Sequence, residues 1–486
     1  MRRPLTVAVL GAGASGTLTA AALLDAARPL RPVRVLLMDP FASSGRGVAY
    51  GTGQSQHLLN VPAGSMGADP TDPEGFLRWT RRNADESARA ADYLPRGWYG
   101  AYLAETLHAA ADRALEDGRG ALLRVQRRAV HVATESSRSN LVVTDDEGLE
   151  QVADAVVLAT GNPPPGQRWA PPALRRSPYF VADPWAPGML PELRTQLTSR
   201  TDRLPILLVG TGLTMVDVAL SLAGSGRPLL AVSRTGRLPA AHRTLPTGAA
   251  PPSELPARSL TADRLRAWFG RHVEEVQAAT GDWRPAVDGL RPYTSQLWRR
   301  LPLAERARFL SLDARAWERA RHRMAPVTAA GVRKLRTTGT LAVRSGTVVA
   351  ATPLASGLRV QLSAEPGDVV DVAAVINCTG PETDPYAWNN AVVDGLLAHG
   401  VASSDPLGLG LRTDLAGRLV DPTGRTSRRL VTLGSPRRGA LYETTAIPEI
   451  RCQAQSLATL LVDGGRMRQS APSRSSRSSR TALASA

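Results

Sequence analysis

The run Val7-Ala8-Val9-Leu10-Gly11-Ala12-Gly13-Ala14-Ser15-Gly16 constrains this chain more than any other feature: an apolar strand enters Gly-x-Gly-x-x-Gly and continues as a helix. Gly11 makes the tight turn, Gly13 lets backbone approach a pyrophosphate, and Gly16 lets the helix pack against its strand. Ser15 lies in the first helical turn, where unpaired N–H groups and the helix dipole attract phosphate. The next strand, Val33 to Met38, ends at Asp39, 23 residues past Gly16, where an acid accepts ribose hydroxyls. The bland alternative, a glycine turn after a core strand, does not account for strand, helix and acid together. The expectation is FAD at this first loop.

A second strand, loop and helix follow at Ile206-Leu207-Leu208-Val209-Gly210-Thr211-Gly212-Leu213-Thr214-Met215, with Met215 where a third glycine is common. Its following strand ends in Ser233-Arg234 instead of a carboxylate. A guanidinium and a hydroxyl there suit a 2′-phosphate, because arginine makes bidentate charge-assisted contacts with it. NADPH is therefore expected at Gly210, Gly212, Thr214, Ser233 and Arg234, the alternative for Arg234 being a solvated strand-end charge.

The chain thus reads as α/β, with two dinucleotide-binding, Rossmann-like domains and the FAD domain discontinuous. The expected division is 1–195 for the first part of the FAD domain and 196–335 for the NADPH domain, with a helical insertion at about 253–323. Residues 336–465 return to the FAD domain, and 466–486 form a Ser/Arg-rich disordered tail. Two strand exits, Thr160-Gly161 and Thr379-Gly380, mark the chain leaving one nucleotide domain for the other, with Tyr179 to Trp185 as linker.

Between Phe41 and Tyr102 the pattern is mostly loop, rich in Gly and Pro, and long loops at the carboxyl ends of parallel strands usually serve ligands. Arg46 and Arg96 are candidates for flavin phosphates and Asn60 for the ring edge, with Met66 closing the same stretch; surface arginines and a turn-forming Asn are the competing reading. A helix is expected near Tyr99 to Leu115 and a β-meander near Leu122 to Val143. The insertion ends in Arg321-His322-Arg323, either a cation cluster for the nicotinamide's phosphates or an acidic substrate, or the basic last turn of a helix. Asn60, Arg321, His322 and Arg323 are the candidate catalytic groups. The closing strand reaches Gly434, and Glu443 and Thr444 precede a helix whose N-terminus can face the flavin, or are simple caps.

The formal charge of +16 is almost all arginine, Lys334 being the one lysine. Five of those charges lie in 466–486, so +11 remains elsewhere, scattered and without an aromatic-interleaved basic stripe; nucleic acid is not an expected partner. No segment approaches the roughly 18 uninterrupted apolar residues of a membrane helix, so no membrane partner is expected and the location expected is cytoplasmic. Cys378 and Cys452 form neither a Cys-x-x-Cys pair nor a metal cluster, and no metal site is expected.

The motifs Gly-Ala-Gly-Ala-Ser-Gly, Gly-Arg-Gly-Val-Ala-Tyr-Gly-Thr, Leu-Leu-Asn-Val-Pro-Ala-Gly, Gly-Thr-Gly-Leu-Thr-Met-Val-Asp, Arg-His-Arg-Met-Ala-Pro and Glu-Thr-Thr-Ala-Ile-Pro-Glu-Ile-Arg together resemble the bacterial FAD/NAD(P)-binding proteins related to N-hydroxylating flavin monooxygenases. Relatives of that kind include aspartate N-monooxygenases of the nitrosuccinate-forming type. The resemblance spans roughly Thr6 to Asp463. It implies that NADPH reduces FAD, that O2 adds to give a C4a-hydroperoxyflavin, and that oxygen passes to the amine of a small, amino-acid-like substrate in a natural-product pathway, aspartate being one candidate. A carboxylate-bearing substrate would suit the arginines, and a homo-oligomer is allowed. The alternatives are an NADPH-dependent flavin reductase or dehydrogenase without oxygen insertion, or a non-catalytic FAD-binding redox protein.

Overall fold

A computed structural model describes residues 3–41, 43–134, 140–244, 248–256, 260–363 and 367–464. The expected tail at 466–486 lies outside the described residues. Two sheets carry the architecture. The first has six strands in the order Arg418–Val420, Thr426–Thr432, Ala155–Leu158, Leu5–Leu10, Val33–Met38 and Gly120–Val125, parallel except where Arg418–Val420 runs against Thr426–Thr432. The second has five parallel strands, Leu341–Ser345, Leu229–Ser233, Ile206–Val209, Ala374–Asn377 and Phe180–Val181.

The strands are short apolar runs because both faces are covered: Val7, Val9, Val35 and Leu37 face the layer of helices Ala14–Ala26, Arg96–Glu116 and Ile447–Val462, while Ala8, Leu10, Leu36 and Met38 face the opposite core. Each fully buried Val, Leu or Phe contributes about 1.5–3 kcal/mol, so the two-sided burial is what selects strand over any other use of these sequences.

Both sheets follow one plan. From a central strand, Leu5–Leu10 in the first and Ile206–Val209 in the second, each adds two parallel strands to one side, runs through a three-stranded antiparallel meander, and returns on the other side of that strand; the second also carries the earlier Phe180–Val181 at its edge. The meanders are Ala129–Thr134, Leu141–Asp145 and Glu150–Ala153 in the first domain and Val348–Leu354, Gly357–Leu362 and Val369–Val372 in the second. The strand order reverses between Leu5–Leu10 and Ala155–Leu158, and again between Ile206–Val209 and Ala374–Asn377. Such switch points open a crevice at the carboxyl ends of the strands.

Strand pairing moves several expected boundaries. The segment expected as linker, Tyr179 to Trp185, contains the edge strand Phe180–Val181 of the second sheet, so that domain begins well before 196. Strands after 336, expected in the returning FAD domain, stay with the second domain up to Asn377: Leu341–Ser345 pairs with Leu229–Ser233, Ala374–Asn377 with Ile206–Val209, and the meander between them packs on the second sheet. Gly120–Val125, expected in a meander, is a parallel strand against Val33–Met38. The stretch from Phe41 to Tyr102 carries helices at Gly47–Tyr50 and Gly75–Asn83 and the start of Arg96–Glu116. The helical insertion holds Ala262–Thr280, Arg284–Gly289, Thr294–Arg300, Leu303–Leu312 and Ala314–Arg321, the last two separated at Asp313. Among the described residues no helix is long and apolar enough to cross a membrane.

Candidate active site

The first glycine loop is shaped by backbone contact. Gly11 has φ +106°, and a Cβ there would stand 2.5 Å from the Ala159 carbonyl oxygen; at Gly16 it would stand 1.8 Å from the Gly11 oxygen. Helix Ala14–Ala26 opens at Gly13 with no side-chain cap, so its first N–H groups are left for an anion. Asp39 accepts from the Ala12 N–H (2.7 Å) and the Phe41 N–H (2.9 Å), one on each oxygen, and each oxygen keeps a lone pair for a ribose hydroxyl. The Gly45 N–H is held by the Ala12 carbonyl and the Thr17 hydroxyl, both at 2.8 Å, and Gly47 comes against Gly13, its Cα 3.7 Å from the Gly13 Cβ position. Arg46 is exposed and carries no ion pair among the described residues. Thr160 and Gly161 close one end: Gly161 has φ +68° and open space around its Cβ position. Gly434 closes the other, 3.3 Å from the Ser15 hydroxyl at its own Cβ position.

The second loop repeats this geometry. Gly210 has φ +110°, its Cβ position lies 2.3 Å from the Cys378 carbonyl oxygen, and Gly212 leads into helix Leu213–Leu222 without a side-chain cap. Thr214 is the second residue of that helix. Met215 is fully buried in the second core, so the bulk that replaces the third glycine points inward. The Ser233 hydroxyl is shared with the Thr211 hydroxyl (2.8 Å) and accepts from the Gly236 N–H, while Arg234 is exposed with no ion pair among the described residues. Both loops therefore fit an anionic dinucleotide: each has an uncapped helix terminus, space at its second glycine and a polar group at the end of its second strand.

The two chain crossings lie side by side. Pro165 bridges Pro381, Asn377 donates to the Gly166 carbonyl at 3.1 Å, and the Thr379 hydroxyl donates to Asn377 at 2.7 Å, with Gly380 at φ +91° beyond it. Around them the domains are joined by buried polar contacts. Arg96, expected at a flavin phosphate, instead pairs with Asp217 at 2.8 Å and donates from Nε to the Leu58 carbonyl at 3.0 Å. Ser221 spends its proton on the Asp217 carbonyl, so His57 must donate to Ser221 from Nε2 (2.8 Å) and accept from Thr52 at Nδ1 (2.8 Å). Burial pushes the His57 imidazole below its ordinary pKa, consistent with this neutral tautomer. His242 donates to the Asn60 carbonyl (3.2 Å), and the half-buried Asn60 side-chain amide has no hydrogen bond among the described residues.

The remaining candidates divide sharply. Met66 is 2 % exposed and packs in the first core, so its side chain does not line the cradle. Arg323 is equally buried; its Nη2 is bound to both oxygens of Asp288 (2.5 and 2.6 Å) beside the Trp283 ring, while its Nε and Nη1 have no hydrogen-bond partner among the described residues. Arg321 pairs with Glu443 at 3.1 Å, and the other Glu443 oxygen takes the Trp317 indole N–H at 2.7 Å; Glu443 thus faces the helical insertion, away from the flavin loop. His322, between these arginines, is open to solvent yet crowded by protein, and that crowding, with Arg321 beside it, lowers its pKa to about 4. Thr444 does reach the cradle, donating to the Gly434 carbonyl at 3.2 Å.

Sequence reasoning missed Gln453 and Arg437, which fix this closing loop: Gln453 accepts from the Gly434 N–H and from Arg437, and donates to Thr444 at 2.8 Å. It missed His57, Asp217, Ser221 and His242 as well. Asp217, one helical turn past Gly212, was the one with a visible signal, a carboxylate on an otherwise apolar helix. Among the described residues no cluster of metal-ligating side chains occurs, and the cysteines are free, Cys378 buried and Cys452 exposed.

Residues 8–163 match an FAD-NAD(P)-binding family. No curated protein matches the chain. Among solved structures, the chain is similar to the reduced form of ornithine hydroxylase from Pseudomonas aeruginosa, with 17% identity over 94% of this chain and 98% of that one and a TM-score of 0.60. It is similar to the lysine monooxygenase from Nocardia farcinica, with 15% identity over 94% and 99% and a TM-score of 0.55. It is also similar to the bacillithiol disulfide reductase from Staphylococcus aureus, with 10% identity over 95% and 99% and a TM-score of 0.54. These likenesses place both domains in one shared fold, whose members here include a hydroxylase, a monooxygenase and a disulfide reductase.

Proposed function

We propose that this chain is an FAD- and NADPH-dependent monooxygenase that oxidises the amine of a small substrate. The observation that carries the reading is the pair of uncapped glycine loops at the switch points of two sheets with the same plan, joined by adjacent crossings at Pro165 and Pro381. When bound, FAD supplies the redox chemistry, taking electrons from NADPH and passing them to O2.

The protein's own part is to bind, orient and shield. The first-turn N–H groups after Gly13 and the Arg46 guanidinium hold the flavin pyrophosphate, and Asp39 the ribose. Arg234 takes the 2′-phosphate of NADPH. The Asn60 amide, fixed through its backbone by His242, is the polar group offered to the ring edge, and Thr444 with Gln453 holds Gly434 in place under it. His322, its pKa lowered to about 4, is neutral at pH 7. Two supports for a dicarboxylic substrate are weaker than the sequence suggested, since Arg321 and Arg323 are already paired with Glu443 and Asp288. Disulfide reduction has no support in the cysteines, because the Cys378 thiol is buried and pushed far above its ordinary pKa.

The test is NADPH oxidation by the flavin-loaded protein, screened against amino acids and amines with aspartate first, with oxygen uptake and peroxide followed together. Amine-stimulated turnover with product N-oxidation is expected. Turnover that needs no amine and gives only peroxide would favour a reductase, and a flavin that stays oxidised under NADPH would favour a binding protein.

A further inference from the structure

The helical insertion encloses a pocket that none of the cofactor contacts explains. Its volume is about 310 Å³, at the lower end of the range for small-molecule sites. The walls are aromatic: Phe269, Trp298, Phe309 and Trp317 come from four different helices, and Tyr442 enters from the flavin side. Trp298 stacks on Tyr442 at 4.8 Å, and Phe309 and Trp317 present edges to Tyr442 and Phe269 at 5.4 and 5.5 Å. Phe269, Phe309 and Trp317 are only half-buried although they face one another across this space. Apolar rings left against water in a concave site are the mark of a place meant to be filled. The charged groups at the rim, Arg266 and Asp313, are bound to each other through two hydrogen bonds of 2.6 and 2.9 Å, so neither of these charges is left for a polar ligand to pair with.

Position links the pocket to the cofactor loop. Tyr442 has φ +62° and ψ −64°, a backbone state rare for a residue with a side chain, and such strain collects at functional sites. Two residues on, Thr444 is tied to Gly434 of the flavin cradle, and Glu443 between them is held by Trp317 and Arg321. One short loop therefore has the pocket on one side and the cradle on the other. We propose that the pocket binds the aromatic ring of a ring-bearing amine, which is then the substrate class of the oxidation proposed above; the inference rests on that reading for the amine, and on the pocket alone for the ring.

The test is calorimetric titration of the flavin-loaded protein with 2-phenylethylamine and tryptamine, against aspartate and ornithine, in the wild type and in Ala320→Phe, which places a ring inside the pocket from helix Ala314–Arg321. Saturable binding of the two aromatic amines is expected, with at least a tenfold loss in Ala320→Phe and a melting temperature equal to or above wild type. Should Ala320→Phe not fold, Ala316→Trp at the mouth serves the same comparison. No saturable binding by either amine, or equal binding in the filled variant, overturns the proposal. Binding that is lost on filling while no amine stimulates NADPH oxidation leaves the pocket assigned and removes the monooxygenase reading. Oxidation stimulated by aspartate with no aromatic amine bound does the reverse.

Discussion

The domain interface offers a sharp test, because Arg96 is either a phosphate ligand or a structural cation and the two roles fail differently. In the structure Arg96 pairs with Asp217, whose side chain is 6% exposed, and with the Leu58 carbonyl. Removing one partner of a buried pair costs about 3–5 kcal/mol, because the other charge is left desolvated. Burial already pushes the Asp217 carboxyl above its ordinary pKa, with Arg96 the largest influence holding it down. Without Arg96 the carboxyl takes up a proton instead of staying charged, so the loss for Arg96→Ala belongs at the lower end, about 3 kcal/mol. By the scaling for domains of 150–250 residues that is a drop of roughly 6–12 °C in melting temperature. Arg96→Met with Asp217→Leu, which removes both charges, is expected to recover most of it. The assay is thermal melting by intrinsic fluorescence alongside the flavin-to-protein ratio and FAD affinity of the folded protein. An unchanged melting temperature with FAD affinity lowered tenfold or more would refute the structural role and restore Arg96 to the phosphate.

Three further outcomes are expected. Arg234→Ala should raise the KM for NADPH by roughly 10- to 150-fold, the worth of a charge-assisted contact of about 1.5–3 kcal/mol, and leave NADH unaffected; equal effects on both coenzymes would show that Arg234 does not meet the 2′-phosphate. Gly210→Ala forces a Cβ to 2.3 Å from the Cys378 carbonyl at φ +110°, so it should abolish NADPH-driven reduction while FAD stays bound, as flavin absorbance with and without dithionite will show. His242, held near pKa 4 by burial, favours its neutral ring in the folded state. Its contribution is complete above its ordinary value of 6.5 and is lost as pH falls from there towards 4. Urea midpoints at pH 7.5 and 5 should therefore lie closer together in His242→Gln than in wild type, and an unchanged gap would refute the assignment.

What could be read from the sequence follows from how local its cause is. The glycine loops, Asp39 and Arg234 sit within one strand-turn-helix unit, where residue type and spacing are dictated by phosphate geometry. The roles of Arg96, Arg321, Arg323 and Glu443 depend on partners more than 30 residues away, and an arginine looks the same whether it meets a phosphate or a carboxylate. Met66 looked like part of a ligand loop because the loop is irregular, yet its side chain fills the core. The second domain's boundaries were misplaced for a related reason: Phe180–Val181 is two residues long, too short to show alternation, and takes its identity only from pairing with Ala374–Asn377.

The return of the chain to its first sheet sets a condition on synthesis. The Thr432 hydroxyl bonds to the Leu158 carbonyl across 274 residues, and helix Ile447–Val462 packs along Ala14–Ala26. At 5–20 residues per second, the ribosome needs roughly 14–55 s to make the stretch from Leu158 to Thr432, and longer for the helix pair. For that interval the nascent first half presents an open strand edge at Ala155–Leu158 and an uncovered apolar helix face. The complete second domain must emerge in the meantime, so the flavin site is the last part of the molecule to be assembled although it is the first to be translated.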